Sequence, residues 1–191
     1  MIATLKANKV YLIVGGIALA SWVLVSFIAP DMWQQNPPPP HSADYFSKGY
    51  TKWEMDELGK LKNKLIADQV THYKDDDTMH TINPVMFFYN EKTPPWVVKA
   101  ESGLLATDRN NLLLNGKAII NRDKAEGSKE LTINTSNLRV KIETSYAETD
   151  EWAELLSPPN MTTGIGMKMT FVAPVHLELL ANVKGKYETN K

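Results

Sequence analysis

Residues 10–29 read VYLIVGGIALASWVLVSFIA, twenty positions without a charge, whereas beyond residue 42 apolar and polar residues alternate in short runs broken by turn signals. A helix rising about 1.5 Å per residue covers about 30 Å over that first stretch, the thickness of a hydrocarbon core, so residues 10–29 are expected to cross a membrane. Lys6 and Lys9 precede the stretch with no acidic residue among them, and Asp31 follows it. That bias puts residues 1–9 in the cytoplasm and exports the remainder, with Trp33 at the interface. Ala18-Leu19-Ala20 before Ser21 also fits a cleaved signal peptide, but cleavage there would leave an apolar stump where a polar region belongs, so the retained anchor is favoured. Gly16 and Ala20, four apart, form a small-residue face against which a second membrane helix could pack.

Residues 30–45 hold Pro37, Pro38, Pro39 and Pro40, a run that favours an extended polyproline II spacer between the bilayer and a domain over 46–191. In that domain the alternation predicts antiparallel strands with one buried face. Asp56-Glu57-Leu58-Gly59 is expected to turn a hairpin into 61–73, followed by strands over 79–89, 96–100, 112–120, 131–135 and 138–143, with Leu138, Val140 and Ile142 on one side. The segment 150–156 fits either a strand or a short helix. Gly164 and Gly166 suggest a turn or bulge before a strand over 167–171, and 174–187 carries Val175, Leu177, Leu179, Ala181, Val183 and Tyr187 on one parity. Many strands with no helical pattern between them predict an all-β sandwich, barrel or jelly roll whose free edges could accept another β-chain.

Composition narrows the function. A net charge of -1 argues against nucleic acid as a partner. The absence of cysteine removes disulfides, thiol catalysis and thiolate metal sites. His41, His72, His80 and His176 stand in no metal-ligand spacing, and Asp75-Asp76-Asp77 lacks the spaced ligands of a calcium loop, so neither a metal nor a cofactor is expected. No nucleophile elbow or phosphate loop is present, which leaves a hydrolase without its usual devices, and no enzyme activity is expected. Met79, Met86, Phe87, Met167, Met169 and Phe171 along the strands are explained by core packing or by an interior that accepts acyl chains.

Asn83-Pro84-Val85, Trp96-Val97-Val98-Lys99-Ala100-Glu101, Asp108-Arg109, the strand ending at Gly116, Gly166-Met167-Lys168-Met169 and Tyr187-Glu188, in this order after a lysine-flanked span, resemble the LptC family of bacterial lipopolysaccharide transport. The resemblance implies a single-pass protein of the bacterial inner membrane with a periplasmic domain folded as a twisted antiparallel β-jelly roll. It implies receipt of lipopolysaccharide from an ABC transporter built of LptB, LptF and LptG, with LptF docking at the N-terminal edge, and delivery to LptA through the C-terminal edge strand. Carried over as lipid-lining positions are Tyr50, Thr81, Leu177 and Tyr187; strand parity adds Met79, Val85, Phe87, Leu179 and Val183. The alternative is a membrane-anchored scaffold with a filled core that binds proteins and carries no lipid.

Overall fold

The computed structural model describes residues 2–28 and 41–188 apart from 127, with the helical side chains described at 9 and 11–27. It divides into two units, Met1–Pro39 and Pro40–Lys191. In the first unit, helix α1 runs over Ile2–Ile28. Its described side chains over 11–27 are uncharged and exposed, Gly16 and Ala20 among them. Among the described residues no helix is long and apolar enough to cross a membrane. Lys6's side chain, Trp33 and the proline spacer at 37–40 lie outside the described residues.

The second unit is a single antiparallel sheet of ten strands. They are β1 (Ala43–Met55), β2 (Leu61–Tyr73), β3 (Thr78–Ile82), β4 (Val85–Phe88), β5 (Trp96–Leu105), β6 (Asn111–Arg122), β7 (Leu131–Lys141), β8 (Tyr146–Ser157), β9 (Asn160–Thr170) and β10 (Leu177–Lys186). The order is a meander, β1-β2-β3-β5-β6-β7-β8-β9-β10, with β4 continuing β3's place between β2 and β5. Asp56 closes the first hairpin as expected: its Oδ1 accepts from the backbone N–H groups of Leu58 and Lys60 at 2.9 and 2.8 Å, the Asx-type device that makes Asp a turn residue. The segment 150–156 is strand throughout, inside β8.

A corner crosses the whole sheet. Gly49, Asn83, Gly116, Asn137, Gly166 and Asn182 all have positive φ, between 49° and 74°, and each lies mid-strand or, for Asn83, between β3 and β4. Only glycine and asparagine enter that region cheaply, and all six positions carry one or the other. They fall on one line: Asn83 donates from Nδ2 to Asp68 at 2.7 Å and its N–H to Glu101 O at 2.9 Å. The Gly116 N–H donates to Asn137 Oδ1 at 3.1 Å, and Asn137 Nδ2 donates to Glu151 at 3.2 Å. Register shifts in β5–β6, β6–β7, β7–β8, β8–β9 and β9–β10 sit on the same line. Bulges bend strands, and bulges aligned from strand to strand fold the sheet into two facing layers, the way corners arise in orthogonal β-packing.

This corner explains where the sequence reading erred. The run 79–89 is two strands because Asn83 turns left-handed before Pro84, whereas 131–135 and 138–141 belong to one strand, β7, which passes through left-handed Asn137 opposite bulges in β6 and β8. Gly166 lies inside β9 with a φ of 73°, and the extra residue of the bulge there is on β8, between Thr149 and Trp152. Between the layers, one cluster of buried residues runs from Leu65 to Phe171 and includes Leu138, Val140 and Ile142 on one side as expected. The layers meet through Phe88 stacked on Phe171 at 4.2 Å between centroids and Asn63 Nδ2 donating to Ile142 O at 3.4 Å.

Candidate functional site

The inner face of the folded sheet brings several of the expected lining residues together. Thr81 is 3% exposed, its hydroxyl donating to Gly103 O at 3.2 Å. Met79 is buried two positions away on the same strand. Register puts Thr81 opposite Val70 and Met79 opposite His72 on β2, and Tyr50 opposite Ala67. Tyr50, Leu177 and Leu179 are partly buried and pack against the core cluster. Burial pushes the Tyr50 hydroxyl pKa up. Leu177 lies opposite Met169 and Leu179 opposite Met167, both buried. Leu179 also closes over Gly164, where an added Cβ would come within 3.1 Å of the Leu179 Cβ.

Val85 and Phe87 are on the other face. Met86 and Phe88 pair with Leu65 and Asn63 and are buried with them, so their alternates point outward; Lys64 Nζ lies 5.7 Å from the Phe87 ring centre. The shared parity with Met79 and Thr81 fails because the left-handed residue Asn83 interrupts the alternation between β3 and β4. Val183 and Tyr187 stand beyond the bulge at Asn182. Lys184 opposite Thr163 and Gly185 opposite Thr162 place Val183, Gly185 and Tyr187 on the face of buried Gly164. There Val183 is 55% and Tyr187 69% exposed, the Tyr187 ring lying over Gly185. They line an inner face that no facing layer covers at this edge.

β1, the opposite edge, carries residues the sequence reading missed. Tyr45, Ser47, Lys52 and Glu54 lie opposite buried His72, Val70, Leu65 and Asn63 and so share the inner face with Tyr50. Their signal was weak because Gly49, with φ 64°, shifts the parity halfway along a strand of mostly polar residues. The start of β1 is held electrostatically. The His72 ring reaches Asp44 Oδ1 at 2.6 Å through Nδ1 and Asp77 Oδ1 at 2.7 Å through Nε2, and Tyr45 stacks on it at 4.7 Å. The bonds to Asp44 and then Asp77 raise the His72 pKa, and the bond from His72 lowers both carboxylates. Arg109 NH2 donates to Asp77 at 3.0 Å, and Asp75 accepts from the His41 N–H at 3.0 Å. The Asp75-Asp76-Asp77 turn is thus engaged in fastening β1 to the β2–β3 hairpin. Among the described residues no three acidic or histidine side chains converge as metal ligands.

The interior between the layers is filled. Beneath Lys52 and Glu54 a crevice of about 10 Å³ reaches Leu105 and Ile142, too small for an acyl chain. A larger cavity of about 430 Å³ opens at the loop end of the layers, between the β4–β5 loop, Arg122 and the β9–β10 loop.

A profile of the family described as "Lipopolysaccharide-assembly, LptC-related" matches residues 13–188. The lipopolysaccharide export system protein LptC of Escherichia coli strain K12 is 28% identical over 131 residues, 68% of this chain and 67% of that protein. The protein of the same name from Shigella flexneri matches to the same extent. Among solved structures, LptH of Pseudomonas aeruginosa, described as the LptA homologous periplasmic component of the lipopolysaccharide transport device, superposes with a TM-score of 0.51 at 7% identity, covering 66% of this chain and 95% of its own. The β-domain therefore has an LptA-like fold, and the chain belongs to the LptC-related lipopolysaccharide-assembly family.

Proposed function

We propose that this protein is a single-pass component of the bacterial inner membrane that receives lipopolysaccharide from the ABC transporter of LptB, LptF and LptG and passes it to LptA. Residues 10–29 would form the membrane span, with 1–9 cytoplasmic, 30–45 as spacer and 46–191 as a periplasmic jelly roll. Gly16 and Ala20 would meet a transporter helix. The observation that carries this reading is that, among the described residues, both terminal strands of an LptA-like sheet are edges, β10 continuing the apolar interior through Leu177, Leu179, Val183 and Tyr187 and β1 placing Tyr45 and Tyr50 among polar residues on the same face. A strand edge with such a face accepts a further β-domain by main-chain pairing, and a file of such domains presents one continuous apolar surface. Exposing acyl chains to water costs about 0.8 kcal/mol per methylene, which is the reason for a continuous surface. The carrier would bind and orient lipid, with Thr81, Met79, Leu177 and Leu179 as lining.

The filled interior favours a second reading, in which the domain is a scaffold whose core stays shut. Photo-crosslinkers at Thr81 and Leu177, in cells expressing the transporter, separate the two. Lipopolysaccharide adducts at both positions are expected, since Thr81 is reached only if the layers part. Intact assembly with LptF, LptG and LptA but no adducts would replace the carrier with the scaffold.

A further inference from the structure

The cavity of about 430 Å³ at the loop end is lined by Tyr89, Lys92, Arg122, Val172, Ala173 and Val175, with Asn90, Glu91 and Thr93 completing its wall. It is a built site: Asn90 Nδ2 donates to Phe171 O at 3.0 Å, tying the β4–β5 loop to the segment after β9, and Phe171 packs on Phe88 and Trp96 behind it. Its charges are unbalanced. Glu91 is neutralised by Lys60 at 2.6 Å, and among the described residues neither Lys92 nor Arg122 has an ion-pair partner.

Arg122 is held in a way that suits an oxyanion. Its guanidinium carbon lies 4.4 Å from the centre of the Trp96 ring, and it makes one long hydrogen bond, from NH2 to Lys129 O at 3.4 Å. Its Nε is buried with no acceptor among the described residues, a costly state for a charged donor. A guanidinium seated on an aromatic ring keeps its in-plane donors, the fork that matches phosphate or carboxylate. Opposite it, Val172, Ala173 and Val175 supply an apolar wall. The volume falls within the usual range of small-ligand sites, about 300–1,000 Å³.

We propose that this pocket binds the phosphorylated end of an amphiphile, Arg122 and Lys92 taking the phosphate and Val172 and Val175 the first methylenes of its apolar part. Identifying that amphiphile with the transported lipid rests on the carrier reading above; the pocket itself does not. It would hold the charged head at the loop end of the roll while chains lie toward Leu177 on the adjoining strand.

The test titrates the full-length chain in a neutral detergent with dihexanoyl phosphatidic acid by calorimetry, empty micelles serving as blank, with inorganic phosphate and dihexanoylglycerol as separate probes. Phosphatidic acid is expected to bind. Arg122→Gln should weaken it by about tenfold or more, Arg122→Lys should weaken it less, and Val175→Trp, which fills the apolar wall with Arg122 in place, should abolish it. Inorganic phosphate and the neutral diglyceride should bind far more weakly. Unchanged affinity in folded Arg122→Gln, or inorganic phosphate or diglyceride equal to phosphatidic acid, overturns the proposal. Should Arg122→Gln fail to fold by circular dichroism, full binding by both Arg122→Lys and Val175→Trp overturns it equally. Crosslinks from Thr81 and Leu177 report separately on the lipid path, so loss of adducts with pocket binding intact removes the path alone.

Discussion

The middle of the folded sheet and its two edges are made of the same kind of strand yet do opposite things. In the middle, β2 to β9 bury one face under the opposing layer, and Phe88, Trp96 and Phe171 interlock there with almost no exposure. At the edges the same inner face runs on uncovered, polar and electrostatically fastened on β1, apolar and tied by few side-chain bonds on β10. Packing therefore decides stability in the middle, while the edges are kept available at little stability cost.

This contrast is broken most severely at Phe171. Phe171→Ala removes the ring stacked on Phe88 and leaves a cavity between the layers, and should lower the stability of the β-domain by about 3–5 kcal/mol in denaturant titrations. A loss below about 1 kcal/mol would mean the layers do not depend on each other as described.

A smaller, pH-dependent effect is expected at the β1 edge. Because His72's folded pKa is raised, its contribution is complete below the unfolded imidazole value of about 6.5 and is lost as pH rises through the folded value. Asp44 and Asp77, with lowered values, contribute above about 3.9 and lose that as pH falls through theirs. The thermal midpoint should be highest between about pH 4 and about 6.5 and decline on the alkaline side. His72→Gln should lower the midpoint in that window and flatten the alkaline decline in melts of the full chain. An unchanged profile would remove the clamp.

The smallest effect on stability belongs to β10. Val183→Asp and Tyr187→Ala should each change the free energy of unfolding by no more than about 0.5 kcal/mol in denaturant titrations, because neither side chain is covered. If the C-terminal edge docks as proposed, both should reduce capture of purified LptA in pull-downs, and a large stability loss would show that this edge belongs to the core after all.

Much of the architecture was legible along the chain. Alternation exposed much of the sheet but merged β3 with β4, left 150–156 open between strand and helix and found only the end of β9; the Asp56–Gly59 turn marked the first hairpin, and the carried-over positions Tyr50, Thr81 and Leu177 reached the inner face. Val85 and Phe87 did not, and β1's inner residues went unseen, for one reason. A period of two assigns faces only while the pleat is unbroken, and Gly49 breaks it within β1 and Asn83 between β3 and β4. A lone glycine or asparagine in a strand is a commonplace; six of them become a corner only when pairing brings them onto one line across the sheet.

By itself, then, the sequence determined an uncharged N-terminal stretch, an antiparallel β-domain and the residue types available at the edges, since these follow from composition and local periodicity, while its ordered motifs carried the resemblance to the family. Only the tertiary structure decided which face each residue takes beyond a bulge, that the interior is packed shut, that an acidic turn serves to clamp His72, and that Arg122 stands over Trp96 with no carboxylate partner among the described residues. Those are properties of contacts between strands far apart in the chain, and local pattern carries no record of them.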